Sequence, residues 1–311
     1  MRTAAGTRPN FAASTRTQSR FKFRLRLRGE GLFVLPAAIF LATLALYPFV
    51  ELIRMSVSQV TVDDIFQAWP FIGLRGVTSV ASTFDFREAA ANSVIYVVLV
   101  VGVGLGGGLA AAITLWRGGR LASFTLAVMV FSWALPALIS GIAWRFLLDP
   151  RGMVDNILGQ FHVGPVYWLV DGHLPIISVA LVNAWTVVPF ATLVFRAALL
   201  DLPVETLAAA EVDGARPFQA LWHIVLPLLR PTILVLAVLA LVYAFKSFDF
   251  IYIMTFGGPG TASETLPFLS YRLAFQLYQY SQGAAVALIT LAVVFVLAIV
   301  YTRLVRSEER G

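Results

Sequence analysis

Apolar residues along this chain gather into six long runs, at about 32–53, 91–116, 121–148, 174–200, 232–256 and 283–305, separated by shorter polar stretches. Each run is near or above the roughly 20 residues that an α-helix needs to cross a hydrocarbon core. The pattern therefore predicts an all-α integral membrane protein with six transmembrane helices. The first run is too long for the apolar core of a secretory signal and lacks a small-residue cleavage site, so it reads as a retained helix. In the second, Gly102, Gly104, Gly106, Gly107 and Gly108 would let helix backbones approach closely. In the third, Pro136 has no N–H to give, and the helix is expected to loosen there.

The polar stretch 202–231 has a pattern of its own and predicts two short helices joined by a sharp turn. Pro203 suits the first position of a helix, where its missing N–H costs nothing, and Glu205 suits the positive end of the dipole. Asp213-Gly214 ends that helix, because glycine reaches the left-handed region without a Cβ clash. Pro217 opens a second helix, which is expected to break at Pro227 and Pro231.

In this stretch Ala209, Ala210, Gly214, Ile224, Leu226 and Pro227 fall in register with the Glu-Ala-Ala, Gly, Ile-x-Leu-Pro pattern of a cytoplasmic loop. The segment resembles that loop in binding-protein-dependent ABC importer permeases. Ala208 departs from the pattern, standing where the family usually has Glu; Glu205 and Glu211 lie on neighbouring turns. The plainer alternative is an amphipathic helix-turn-helix at the membrane surface. A second match is Met254-Thr-Phe-Gly-Gly-Pro-Gly260, similar to the family's Gly-Gly-Pro turn after the fifth helix. Weaker likenesses are Phe71-Ile-Gly-Leu74, Phe84, Phe86 and Asn92 before the second helix, and Gly152, Asn156, Trp168 and Leu169 before the fourth.

Over about residues 30–305 the chain resembles the maltose-permease-like sugar importers. The resemblance implies a type I ABC importer permease fold with a cytoplasmic coupling helix-turn-helix. It also implies a second permease subunit, two ATPase subunits and an extracytoplasmic sugar-binding protein. ATP and Mg would be used by the ATPase partner, with no cofactor on this chain. ATPase coupling would fall to Glu205, Ala209, Ala210, Glu211, Asp213, Gly214, Ile224, Leu226 and Pro227. Asn183, Thr186, Phe190, Tyr243 and Ser247 would line the substrate path; their spacings of three and four put each group on one helix face. Amides and hydroxyls suit ring hydroxyls and an aromatic face suits a sugar's apolar side, but the same residues serve equally as interhelical hydrogen bonds and packing.

Composition agrees with a bilayer: 59% hydrophobic, 13% charged, mean hydropathy +0.82. Soluble domains carry about a quarter charged residues. The net charge of +6 is not a nucleic-acid footprint, since the basic residues collect at the N-terminus and in alternate loops. Sixteen fall in the tail, 117–120, the elbow region and the C-terminus, against six in the other connections, which predicts that both termini and the elbow are cytoplasmic in the cell membrane. The tail, with eight basic residues in 1–30, is expected to be cytoplasmic; anionic lipid is its candidate partner, and the equal alternative is that these charges only fix topology. The chain has no cysteine, and His162 and His173 lack ligand spacing, so no metal site is expected.

Lys246 and Asp249 are three apart in the fifth run and would share a helix face. The sequence contains no Gly-x-x-x-x-Gly-Lys-Ser/Thr loop and no recognisable catalytic constellation, so this chain is not expected to hydrolyse ATP. The remaining classes are a secondary transporter or channel, for which no inverted repeat is visible, and an intramembrane enzyme.

Overall fold

The computed structural model describes residues 30–64 and 67–308. The basic tail before Glu30, and with it the expected lipid contact, lies outside the described residues. Residues up to Pro48 form one unit and those from Phe49 a second. Among the described residues the chain is helical, with a single isolated bridge, Ser58 to Phe71, and no strand. The helices are α1 (Glu30–Ser56), α2 (Arg75–Ala81), α3 (Phe84–Thr114), α4 (Arg120–Trp133), α5 (Ala137–Leu147), α6 (Met153–Gln160) and α7 (Leu174–Leu200). They are followed by α8 (Val204–Val212), α9 (Pro217–Ala220), α10 (Leu226–Phe245), α11 (Asp249–Met254), α12 (Leu266–Tyr271) and α13 (Tyr280–Glu308).

The second unit is built on α3 against α7, its most extensive helix pair. Glycine permits that approach. A Cβ at Gly108 would stand 2.5 Å from Ala191 Cβ, and one at Gly104 would stand 2.9 Å from Val187 Cγ1. Gly102 and Gly106 have nothing within 4 Å of that position, so only part of the glycine cluster serves this contact. Helix α3 starts about two turns before the apolar run, because the Thr83 hydroxyl accepts a hydrogen bond from Phe86 N (3.2 Å) and caps it. Around this pair the core closes with Tyr96, Ile176, Phe195, Phe250 and Phe268, all at most 2% exposed.

Among the described residues five helices are long and apolar enough to cross a membrane, and α4 with α5 makes a sixth span if counted together. These two do not form one helix over 121–148. They meet at a bend of 101°. Pro136 does more than loosen the run: it biases Leu135 away from helical geometry, and its own backbone is extended (ψ 144°) as it caps α5.

The fifth span also departs from expectation. Pro227 and Pro231 break nothing: Pro217–Phe245 runs through as one span of 29 residues. A π-helical turn, Leu221–Val225, precedes Pro227 and carries the wider hydrogen-bond ring there, while Pro227 sits in the first turn of α10. The helix then stops at Phe245 and restarts at Asp249, so 232–256 is not one helix. Lys246 caps α10 and Asp249 opens α11, which places them on different helices rather than on one face.

Candidate coupling elbow and membrane cavity

The elbow is closed by backbone geometry. Gly214 has φ +78°, and the chain reverses over it with Gly214 N donating to Glu211 O (3.1 Å) and Ala215 N to Ala210 O (2.9 Å). These are the two bonds of a Schellman ending, and they satisfy carbonyls that α8 would leave open. The next helix is capped where Arg216 N donates to Gln219 Oε1 (2.9 Å).

Of the predicted coupling residues, Glu205, Ala209, Glu211, Asp213 and Gly214 are exposed on the elbow. Ala210 is buried, and Ile224 and Leu226 are half-buried on the helix beyond; Pro227 is exposed. Phe218 and Trp222, with ring centroids 6.0 Å apart, add an apolar face of 69% and 56% exposure that the motif does not mark. Helical spacing, four apart, was the signal available for it.

The same helix that leaves the elbow at Pro217 reaches a cavity of about 290 Å³ at its other end. Thr186, Phe190 and Tyr243 line this cavity, three of the five expected substrate-path residues. Trp133 and Leu135 from the α4–α5 break line it too, and Trp133 stacks on Phe190 at 5.6 Å between centroids and 26° between planes. Trp133 had no sequence signal, since only the bend at 134–136 carries it to α7. The lining is apolar with two hydroxyl groups, a pattern able to hold a ring with both an apolar face and polar substituents.

Asn183 and Ser247 are not in that lining. Asn183 is fully buried; its Nδ2 donates to the Tyr96 hydroxyl (2.8 Å) and to Ser247 Oγ (3.2 Å), and Tyr96 and Ser247 also share a hydrogen bond (3.1 Å). Thr186 Oγ1 donates back to Asn183 O (2.8 Å). This cluster ties α3, α7 and the α10–α11 break together behind the cavity wall. It is the interhelical arrangement that polar groups adopt in membranes.

At the end of the bundle opposite the elbow, Arg272 binds Glu264 with Nε and Nη2 (2.7 and 3.0 Å) and Asp85 with Nη2 (2.6 Å). Glu264 is 1% exposed, and burial raises its pKa while the Arg272 guanidinium works against that rise. Burial acts to lower the pKa of Arg272, yet the two carboxylates hold it above its ordinary value. Close by, Asn92 Nδ2 donates to Thr261 O and Glu264 O (3.1 Å each), and Thr261 donates to Glu88. The Gly-Gly-Pro turn thus hangs from α3. A Cβ at Gly257 (φ +83°) would strike Phe268 at 2.5 Å, which accounts for glycine there.

An elbow continuous with a membrane helix that walls a cavity defines a class, the membrane component of a transport system. The chain belongs to the family described as binding-protein-dependent transport system inner membrane component, which matches residues 102–310 and so includes the elbow and the whole cavity lining. It is a multi-pass ABC permease. Among its relatives is the trehalose/maltose transport system permease protein MalF of Thermococcus litoralis, 30% identical over 77% of this chain and 81% of that protein. Another is the sulfoquinovosyl glycerol transport system permease protein SmoG of Agrobacterium fabrum, 28% identical over 89% of this chain and 90% of the relative. A bacterial ABC transporter involved in import of the acidic polysaccharide alginate shares the fold, with a TM-score of 0.77 at 21% identity, covering 89% of this chain and 95% of that one.

Proposed function

We propose that this chain is one permease subunit of an ATP-driven importer that moves a sugar or related carbohydrate across the cell membrane by alternating access. A second permease subunit, two ATPase subunits and an extracytoplasmic sugar-binding protein complete the machine, with both termini and the elbow on the cytoplasmic side. The carbohydrate assignment is supported by the names of the relatives, which transport trehalose and maltose or sulfoquinovosyl glycerol. Leu239 and Tyr243 are 53% and 39% exposed beside the cavity, a wall that a second permease subunit would complete.

The observation that carries this reading is the unbroken helix from Pro217 to Phe245. From Pro217 to Tyr243 at ~1.5 Å per residue it is a lever of ~39 Å, with the elbow at one end and a cavity hydroxyl at the other. ATPase subunits that close on ATP and grip the elbow would turn the cavity wall with it. This is a two-state element biased by nucleotide at one end and by the loaded binding protein at the other. Thr186 and Tyr243 hydroxyls would pair with ring hydroxyls while Trp133 and Phe190 cover an apolar ring face.

Gly214→Val tests the coupling. Among the described residues nothing lies within 4 Å of the added Cβ, so the main cost of the substitution is the left-handed backbone, about 1–3 kcal/mol. ATP-driven uptake in proteoliposomes should fall at least tenfold while membrane insertion and sugar-independent ATPase turnover persist. Normal uptake by this variant would refute the coupling role.

A further inference from the structure

We infer that the permease holds a second, outer sugar subsite at the end of the bundle away from the elbow, separate from the membrane cavity and feeding it. The inference rests on the carbohydrate reading of that cavity. A space of about 330 Å³ is lined by Arg145, Asp149, Tyr167, Val170, Thr255 and the Gly258-Pro259 turn among others, and shares no lining residue with the membrane cavity. Its place follows from the chain: Tyr167 and Val170 precede the N-terminus of α7, and the elbow follows its C-terminus. Both spaces are near the lower bound of small-molecule sites, about 300 Å³.

The two spaces lie at opposite ends of one helix pair, α5 against α11. Ala137 and Phe250 line the membrane cavity, while Arg145, Leu148, Met254 and Thr255 line the outer space. Ala137 and Arg145 are eight residues apart on α5, ~12 Å of helix. Between them Gly141 meets Ile253, where a Cβ would stand 3.0 Å from Ile253 Cγ2, so the helix pair is in close contact along the stretch between the two sets of lining residues. Ser140, its neighbour on α5, is 2% exposed, and its Oγ has no hydrogen-bond partner among the described residues.

The outer lining fits a neutral, hydroxyl-rich ring. Arg145 spends Nη1 on Ile253 O (3.3 Å), and Asp149 Oδ1 accepts from Arg151 N (3.0 Å). The remaining guanidinium N–H groups and the second carboxylate oxygen offer donors and an acceptor for vicinal hydroxyls, with Tyr167 beside them. One cation and one anion in the lining leave it without net charge to favour a charged sugar.

Because the chain has no cysteine, single cysteines introduced into it have a clean background. Val170→Cys places a thiol in the outer space, Ala137→Cys one in the membrane cavity, and Phe161→Cys one on the exposed surface outside both. Maleimide labelling of each variant is followed by mass spectrometry of this chain in the assembled transporter, with and without maltose, trehalose or maltotriose. At least one of these sugars should slow labelling at Val170→Cys and at Ala137→Cys threefold or more, leaving Phe161→Cys unchanged. Adding Arg145→Gln and Tyr167→Phe should abolish the slowing at Val170→Cys alone. Protection at Ala137→Cys with none at Val170→Cys would overturn the outer subsite and leave the carbohydrate reading standing. Protection at neither would overturn both.

Discussion

Replacing Asn183 with Ala separates a structural amide from a substrate-binding one. The side chain is fully buried and donates to Tyr96 at 2.8 Å and Ser247 at 3.2 Å, so the substitution deletes two interhelical hydrogen bonds between α7 and its neighbours. Interhelical side-chain hydrogen bonds in bilayers average about 0.6 kcal/mol and reach about 1.7. The Tyr96 and Ser247 hydroxyls keep each other as partners at 3.1 Å, so neither is orphaned. The expected loss is therefore about 1–2 kcal/mol, roughly a 5- to 30-fold shift in the folding equilibrium. Reversible unfolding in bicelles measures it, and a double-mutant cycle with Tyr96→Phe should return a coupling of about 0.5–1.5 kcal/mol. Uptake KM and sugar preference should stay within twofold, because Asn183 does not line the cavity. A changed sugar preference at unchanged stability would refute this account and put the amide in the substrate path.

Three further outcomes follow from the same geometry. Gly108→Val should destabilise the chain by at least about 1–3 kcal/mol in the same unfolding assay, since its Cβ lands 2.5 Å from Ala191 Cβ, whereas Gly106→Ala, with open space, should be neutral or slightly stabilising in the isolated chain. Arg272→Gln should cost about 3–5 kcal/mol at neutral pH by stranding the buried Glu264 carboxylate. Burial then raises the Glu264 pKa unopposed, the folded state holds its proton more tightly than the unfolded one, and stability is present at low pH and lost as pH rises; the deficit should shrink from about pH 8 to about pH 4, and a pH-independent deficit would argue against it. Removing both Glu205 and Glu211, exposed on the elbow where Ala208 lacks a carboxylate, should weaken co-purification of the ATPase subunits by more than the sum of the single changes; simple additivity would mean the two do not compensate each other.

Much of the elbow could be read from the chain because its determinants are local. Asp213-Gly214 and Pro217 act through φ preferences and a missing N–H within a few residues, and the structure closes a Schellman turn at that point. The same holds for the apolar runs, whose length against a bilayer is a property of the sequence, and for α7, found over Leu174–Leu200. The prolines show where local reasoning stops. Pro136 produces a bend of 101°, while Pro227 and Pro231 lie in a continuing helix. Each lacks the same N–H; the π-helical turn before Pro227 removes the demand for it there, while Pro231 in α10 and Pro189 in α7 continue their helices without such a turn, so the missing N–H alone does not decide between a bend and a continuing helix.

Only the tertiary structure decided which polar groups meet. Asn183, Thr186 and Phe190 share a helix face by spacing, yet Asn183 is buried against Tyr96 while Thr186 and Phe190 border the cavity. Tyr96 is 87 residues away in sequence, and the close approach of α3 to α7 that brings it there depends on Gly104 and Gly108 facing small or branched side chains across the interface. Helical periodicity specifies a face and its chemistry. What that face touches depends on the bend that carries Trp133 to Phe190 and on the break that carries Ser247 to Asn183, and those contacts are non-local, set by packing rather than by neighbours along the chain.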